Sequence, residues 1–245
     1  RGGVWSTYSA GVERSDVQGL ISRAAMIEYA HNWGLERVPS RLFVSGHIEE
    51  RSIEGFGRED AHAVFVGYRK TYRTTDEVLS PRKGLLGTVE VGVGIPGVSS
   101  RTFARARGLL NWLVPLGERD DFLVRAELGA VLARARTGIP SVFLFRTGGD
   151  QTVRGYAFES LGVPLGDAVV GGRYLGIASA ENTRWVTQTV GAAVFVRGGG
   201  AFDGRQGRAA GAQGAQLVRA GGALRTPQRH SPRGAATLRS SPRRA

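Results

Sequence analysis

The chain has 245 residues, no cysteine and a formal net charge of +12, of which residues 204–245 supply +9 through nine arginines without an acid, and residues 1–203 the remaining +3. The basic balance therefore belongs to the tail and does not describe a nucleic-acid-binding surface on the body. Without cysteine there is no disulfide scaffold, thiolate metal site or cysteine nucleophile, and no apolar run approaches the roughly 18 residues of a membrane-spanning helix.

Alternation with period two dominates from residue 4 to about 200 and predicts nine strands. Val4, Tyr8, Ala10 and Val12 share one face of the first. In the second, Ala25, Ile27, Tyr29 and Trp33 oppose Glu28 and Asn32. Leu42, Val44 and Ile48 then oppose Ser45, His47, Glu49 and Arg51, and Val64, Val66, Tyr68 and Tyr72 oppose Arg69 and Thr71. Val89, Val91 and Val93 oppose Thr88 and Glu90. Two longer segments follow, 104–114 with Arg105, Arg107 and Asn111 on the polar face, and 122–132 with Arg125 and Glu127 there. The last two candidates are Arg173–Asn182 and Trp185–Arg197. No window of comparable length favours the helical period.

Alternation alone leaves a soluble β-sandwich and a membrane barrel both open. Strands of ten or more residues suit a tilted crossing, and Trp5, Tyr8, Trp33, Tyr72, Trp112 and Trp185 recur near strand ends as an interfacial girdle requires.

One loop, residues 135–171, is far longer than ordinary connections, which marks it as functional. Its centre reads Gly148-Gly149-Asp150-Gln151-Thr152-Val153-Arg154-Gly155-Tyr156, followed by Phe158-Glu159-Ser160-Leu161-Gly162. Gly171-Gly172-Arg173-Tyr174-Leu175 comes next, then Phe195-Val196 and Ala201-Phe202-Asp203. This ordered set of blocks resembles the outer-membrane protein-assembly barrels of the bacterial surface antigen (BamA/TamA) superfamily. The Gly-Gly-Asp lead-in, and Ser-Leu-Gly after the tyrosine, are more similar to the TamA branch. The resemblance is close over about 142–203 and extends more weakly back to residue 1.

The resemblance implies an all-β fold: about nine consecutive strands, residues 1–203, of a sixteen-stranded antiparallel transmembrane barrel, with POTRA domains ahead of it and the long loop folded into the lumen as a lid. It implies no enzyme activity and no cofactor. The activity would be the translocation and insertion of autotransporters and other β-barrel proteins into the bacterial outer membrane. Partners would be a TamB-like inner-membrane-anchored protein, unfolded substrates and outer-membrane lipid, with no nucleic acid. The alternatives are BamA-type assembly, a two-partner secretion transporter or a passive porin. The lid motif maps onto Gly148, Gly149, Asp150, Val153, Arg154, Gly155 and Tyr156. Arg154 is expected to meet Glu181 on the barrel wall, a pairing that suits the two parallel hydrogen bonds of a guanidinium. The acid that the resemblance expects on the next strand is replaced by Arg197, which argues against a three-residue cluster.

Residues 204–245 contain no aromatic, no acid and no alternation. They read as a disordered, Arg/Ala/Gly-rich tail produced by a shifted reading frame, or else as a genuine basic arm. The chain opens with Arg1, and nine strands fall short of sixteen, so it reads as a fragment lacking both barrel ends. Gly92-Val-Gly94-Ile-Pro96-Gly97 satisfies a nucleotide-binding spacing, but Pro96 and the strand pattern that follows deny it the required helix. His31, His47 and His62 lie on separate segments without ligand spacing. Glu49-Glu50 and Asp120-Asp121 point to opposite faces of their strands and read as turn or rim charges. Arg105 and Arg125 are expected to pair with Glu90 or Glu127 or to line a wet channel.

Overall fold

The computed structural model describes residues 3–76, 81–149, 152–153, 155–187, 190–204 and 219–224. Seven strands come first: β1 (Gly3–Val17), β2 (Leu20–Leu35), β3 (Val38–Ile53), β4 (Gly57–Arg73), β5 (Gly84–Gly94), β6 (Phe103–Leu116) and β7 (Asp120–Leu132). The lid follows, with one 3-10 turn (Ser141–Phe143) and a small hairpin of β8 (Val163–Leu165) and β9 (Ala168–Val170). β10 (Tyr174–Trp185), β11 (Val190–Phe202) and β12 (Arg219–Leu224) complete the chain order.

β1 to β7, β10, β11 and β12 form one antiparallel meander in that order, with β1 and β12 at its edges. The nine segments expected from alternation are β1–β7, β10 and β11. The ninth starts later than Trp185, because residues 186 and 187 turn back and both donate to Val190. One further strand lies in the segment read as an unstructured tail: Arg219–Leu224 pairs with Val190–Phe195. Backbone pairing needs no side-chain alternation, so the pattern carried no sign of it.

The two faces differ as a barrel wall requires. The outer face carries Val12, Ile27, Val44, Ile48, Val89, Val91, Val93, Leu128 and Val194, all exposed. From residue 104 to 114 on β6, about ten residues at roughly 3.3 Å each and tilted about 45°, this face spans an apolar band near the height of an outer-membrane hydrocarbon layer. Tyr8 and Tyr29 (ring centroids 5.0 Å apart), Trp33 and Tyr68 (6.1 Å), Tyr72 and Trp112 lie on this face toward the end of the sheet opposite the lid's root. Trp5 and Trp185 do not belong to that girdle. Strand parity puts them on the inner face, where the Trp185 indole donates to Asp121 at 2.7 Å.

Val91 is half-exposed at the middle of β5. Val91→Arg is expected to destabilise the sheet in lipid by about 2–4 kcal/mol, whereas Thr88→Arg on the opposite face changes little. Comparing folding yields in lipid vesicles checks this. Equal yields would place lipid on neither face.

Candidate functional site

The inner wall is built from two kinds of pair. The first is phenyl over glycine. The Phe43 ring covers Gly67, Phe65 covers Gly92, Phe103 covers Gly94, and the lid's Phe145 covers Gly129 at a distance where a Cβ would sit 2.5 Å from the ring. Each glycine is therefore a floor that admits the ring, and adding a methyl would displace it. This accounts for the Gly92-x-Gly94 spacing, which is wall packing in β5; β6 follows the turn at Gly97, so the nucleotide-site reading fails in structure as it does in sequence.

The second kind is the ion pair. Glu28 holds Arg41, Glu127 holds Arg107 at 2.7 Å, and Glu90 is shared by Arg69 and Arg105. The expected pairing of Arg105 with Glu90 is present, and Glu127 is taken by Arg107. Pairing matters most for Arg105, whose side chain is 9% exposed and whose charge would be costly without an acid, whereas Arg69 and Arg107 remain nearly half-exposed to solvent.

Residues 133–173 fold onto this wall as the lid, and its descending arm buries Ile139, Phe143, Leu144 and Phe145. The Phe143 ring enters the phenyl row, 4.7 Å from Phe65, 5.0 Å from Phe103 and 4.8 Å edge-on from His47. Arg105 donates to the Phe143 carbonyl at 3.1 Å and lies 5.0 Å from the Phe145 ring centroid. Farther up, Gly138 N donates to Glu59 (2.7 Å) and Ser141 N to Glu49 (2.6 Å). Arg51 donates to the Ile139 carbonyl and the Ser141 hydroxyl. Glu49 is thus a buried lid contact, not a rim charge. The β8–β9 hairpin packs Ala168 and Val170 on Leu20 and Ile53.

The lid turns at Gly148 and Gly149, whose φ values of 116° and 95° other residues rarely adopt. Gly149 N then donates to Tyr156 O across the tip. Val153 is fully buried, Tyr156 is half-buried and Gly155 is exposed with φ 94°. Thr152 lines a cavity of about 160 Å³ with Arg125, Ile177, Ser179 and Arg197, so this part of the motif faces the wall of β7, β10 and β11. Glu181 lies on the same inner face of β10, half-buried, and accepts a hydrogen bond from Thr183 at 3.4 Å. Arg197 is buried on the inner face of β11, paired in register with Ser179. Asp150 and Arg154 lie outside the described residues.

Two motif blocks meet where the lid rejoins the sheet. Arg173 pairs with Asp203 and donates to the Ala133 carbonyl, while Tyr174 stacks on Phe202 with centroids 5.7 Å apart. A Cβ on Gly172 would meet the Phe202 backbone at 2.7 Å, so the glycine permits the approach. Burial lowers the pKa of Arg136 and Arg146 in the lid, opposed by Asp203 and Glu159 respectively. Arginine nevertheless stays charged. Among the described residues no group of three His, Asp or Glu is placed to hold a metal. His47 is an aromatic neighbour of Phe143, and His62 bonds Ser100 at 2.8 Å on the rim.

Phe65 was the missed signal. In Val64-Phe65-Val66 both faces of the strand are apolar, which a wall facing only water would not select.

A solved structure, BamA from Haemophilus ducreyi lacking POTRA domains 1–3, is similar to this chain with a TM-score of 0.64 and 12% sequence identity. The similarity covers 82% of this chain and 49% of that one, so the chain spans about half that protein's length, and the likeness is one of fold. Among curated proteins, none matches. The Omp85 superfamily domain matches residues 32–232, from late β2 through the lid to β12, and the chain accordingly belongs to the Omp85 superfamily of bacterial outer-membrane β-barrels.

Proposed function

We propose that this chain is the lid-bearing part of a non-enzymatic barrel that translocates and inserts autotransporters and other β-barrel proteins in the outer membrane. In this reading it works with a TamB-like inner-membrane-anchored partner and takes unfolded polypeptide as substrate. The observation that carries the reading is a 41-residue lid, residues 133–173, seated against the inner wall, with Val153 of the motif fully buried and its neighbour Thr152 lining a cavity shared with β7, β10 and β11. A passive porin needs an open lumen, which a seated lid would obstruct. Glu181, inward on β10, is the acid proposed to receive Arg154.

The test is Glu181→Ala in a barrel completed to sixteen strands. Removing the acid leaves the Arg154 guanidinium without its proposed partner, so the lid tip should become protease-sensitive. Display of an autotransporter passenger at the cell surface should fall while the barrel itself remains in the outer membrane. Unchanged display with an unchanged digestion pattern would reject the Arg154–Glu181 pair.

A further inference from the structure

The descending arm of the lid, residues 138–147, meets β3 and β4 through side chains that grip its backbone. Arg51 and Glu59 are direct cross-strand partners, and Glu49 lies two residues before Arg51 on the same face. The Arg51 guanidinium binds Glu59 through Nε at 3.1 Å and Nη2 at 2.9 Å, with Glu49 at 3.8 Å from Nη1. Its remaining donor, Nη1, goes to Ile139 O (3.1 Å) and Ser141 Oγ (3.2 Å). The two carboxylates in turn accept Gly138 N (2.7 Å) and Ser141 N (2.6 Å). The Arg51 and Glu49 side chains are only 6% and 4% exposed. A planar guanidinium between two acids is held rigidly by its fork geometry, so the three side chains form a preset clamp for one loop conformation.

This clamp is far in the sheet from the wall that faces the lid tip. β3 and β4 are separated from β10 by β5, β6 and β7. The lid is joined covalently to β7 and β10, and the clamp ties it to a second stretch of wall. We infer that Arg51, with Glu49 and Glu59, is a positioning residue that anchors the lid root independently of the Arg154–Glu181 pair, making the arm a fixed strut across the lumen. The inference builds on the lid reading above, yet it concerns the arm alone. Sites that share no partner contribute additively, which is what makes the separation measurable.

Residue-resolved hydrogen exchange on the full 245-residue chain in detergent micelles tests it, without recourse to assembly activity. Arg51→Met should speed exchange of the Gly138, Ser141 and Thr147 amides at least tenfold and leave the β10–β11 ladder unchanged. Glu59→Gln should act chiefly on Gly138 and Glu49→Gln chiefly on Ser141, a split that general loosening would not produce. Glu181→Gln should leave all three amides as they are. If Glu181→Gln releases the arm as much as Arg51→Met does, the lid moves as one body and the independent clamp is overturned; no change with Arg51→Met overturns it equally. Should Arg51→Met not fold, Arg51→Lys keeps the charge without the fork and is judged by the same criteria. A loss of passenger display with Glu181→Ala bears on the tip only and neither supports nor opposes the clamp.

Discussion

Phe143→Ala is expected to weaken the seat of the lid by about 3–5 kcal/mol, the range for truncating a buried phenylalanine. The ring is 5% exposed and has aromatic neighbours on three sides, His47, Phe65 and Phe103, each held by a different strand. Those strands are fixed by the backbone ladder, so the wall cannot collapse into the vacated space and the full cavity cost is felt. The lid's own ends remain tied by strand β10 and the Arg173–Asp203 pair, so the loss should appear as local opening and leave the sheet folded. Trypsin reads that opening at Arg146, whose guanidinium is held by Glu159 in the seated lid. About 3 kcal/mol corresponds to a rise of somewhat more than a hundredfold in the open population, and cleavage follows it when reclosing is fast. Phe158→Ala is the control. That ring is 65% exposed on the same lid, and its removal should change cleavage little. Equal acceleration by both variants would mean that the phenyl row does not seat the lid.

The strands were legible because a β-strand with lipid on one side and water on the other has no choice but to alternate, and Val89-Glu90-Val91-Gly92-Val93 displays this without interruption. The lid was legible by its length and by the ordered blocks around residues 148–162, whose glycines 148, 149 and 155 stand at φ > 0. What seats the lid was hidden for a physical reason. A strand pattern assigns a residue to a face but says nothing of what approaches that face from about 90 residues away, so Glu49 reads as a turn or rim charge and Arg51 only as a polar-face residue, while they bind Ser141 and Ile139. The phenyl–glycine pairs were hidden in the same manner. Gly67 and Gly92 lack any side chain to announce themselves, and only the rings of Phe43 and Phe65 explain why nothing larger stands there. Asp121 shows the converse: read as a rim charge, it serves on the inner face as the acceptor for Arg82 and Trp185.

Glu90→Leu should be the most damaging single change in the wall outside the phenyl row. Both carboxylate oxygens are in use: Oε1 accepts from Arg105 at 2.5 Å, and Oε2 from Arg69 Nε at 2.8 Å. Arg69 is nearly half-exposed and can turn toward water, but Arg105 is 9% exposed and has no such escape. Stranding its charge is expected to cost about 3–5 kcal/mol, read as a shift in the urea unfolding midpoint of the chain in micelles. Removing the charge as well, in Glu90→Leu/Arg105→Met, should restore most of that loss, because a buried pair replaced by apolar groups of similar volume is close to neutral. Restoration should nevertheless stay incomplete at one place. Arg105 also caps the Phe143 carbonyl, and an unsatisfied buried acceptor costs about 1–3 kcal/mol. The double variant is therefore expected to recover global stability while its lid still opens more readily to trypsin at Arg146. A double variant as unstable as Glu90→Leu would show that the carboxylate acts by packing and not by charge. Full recovery of the lid as well would remove Arg105 from its support.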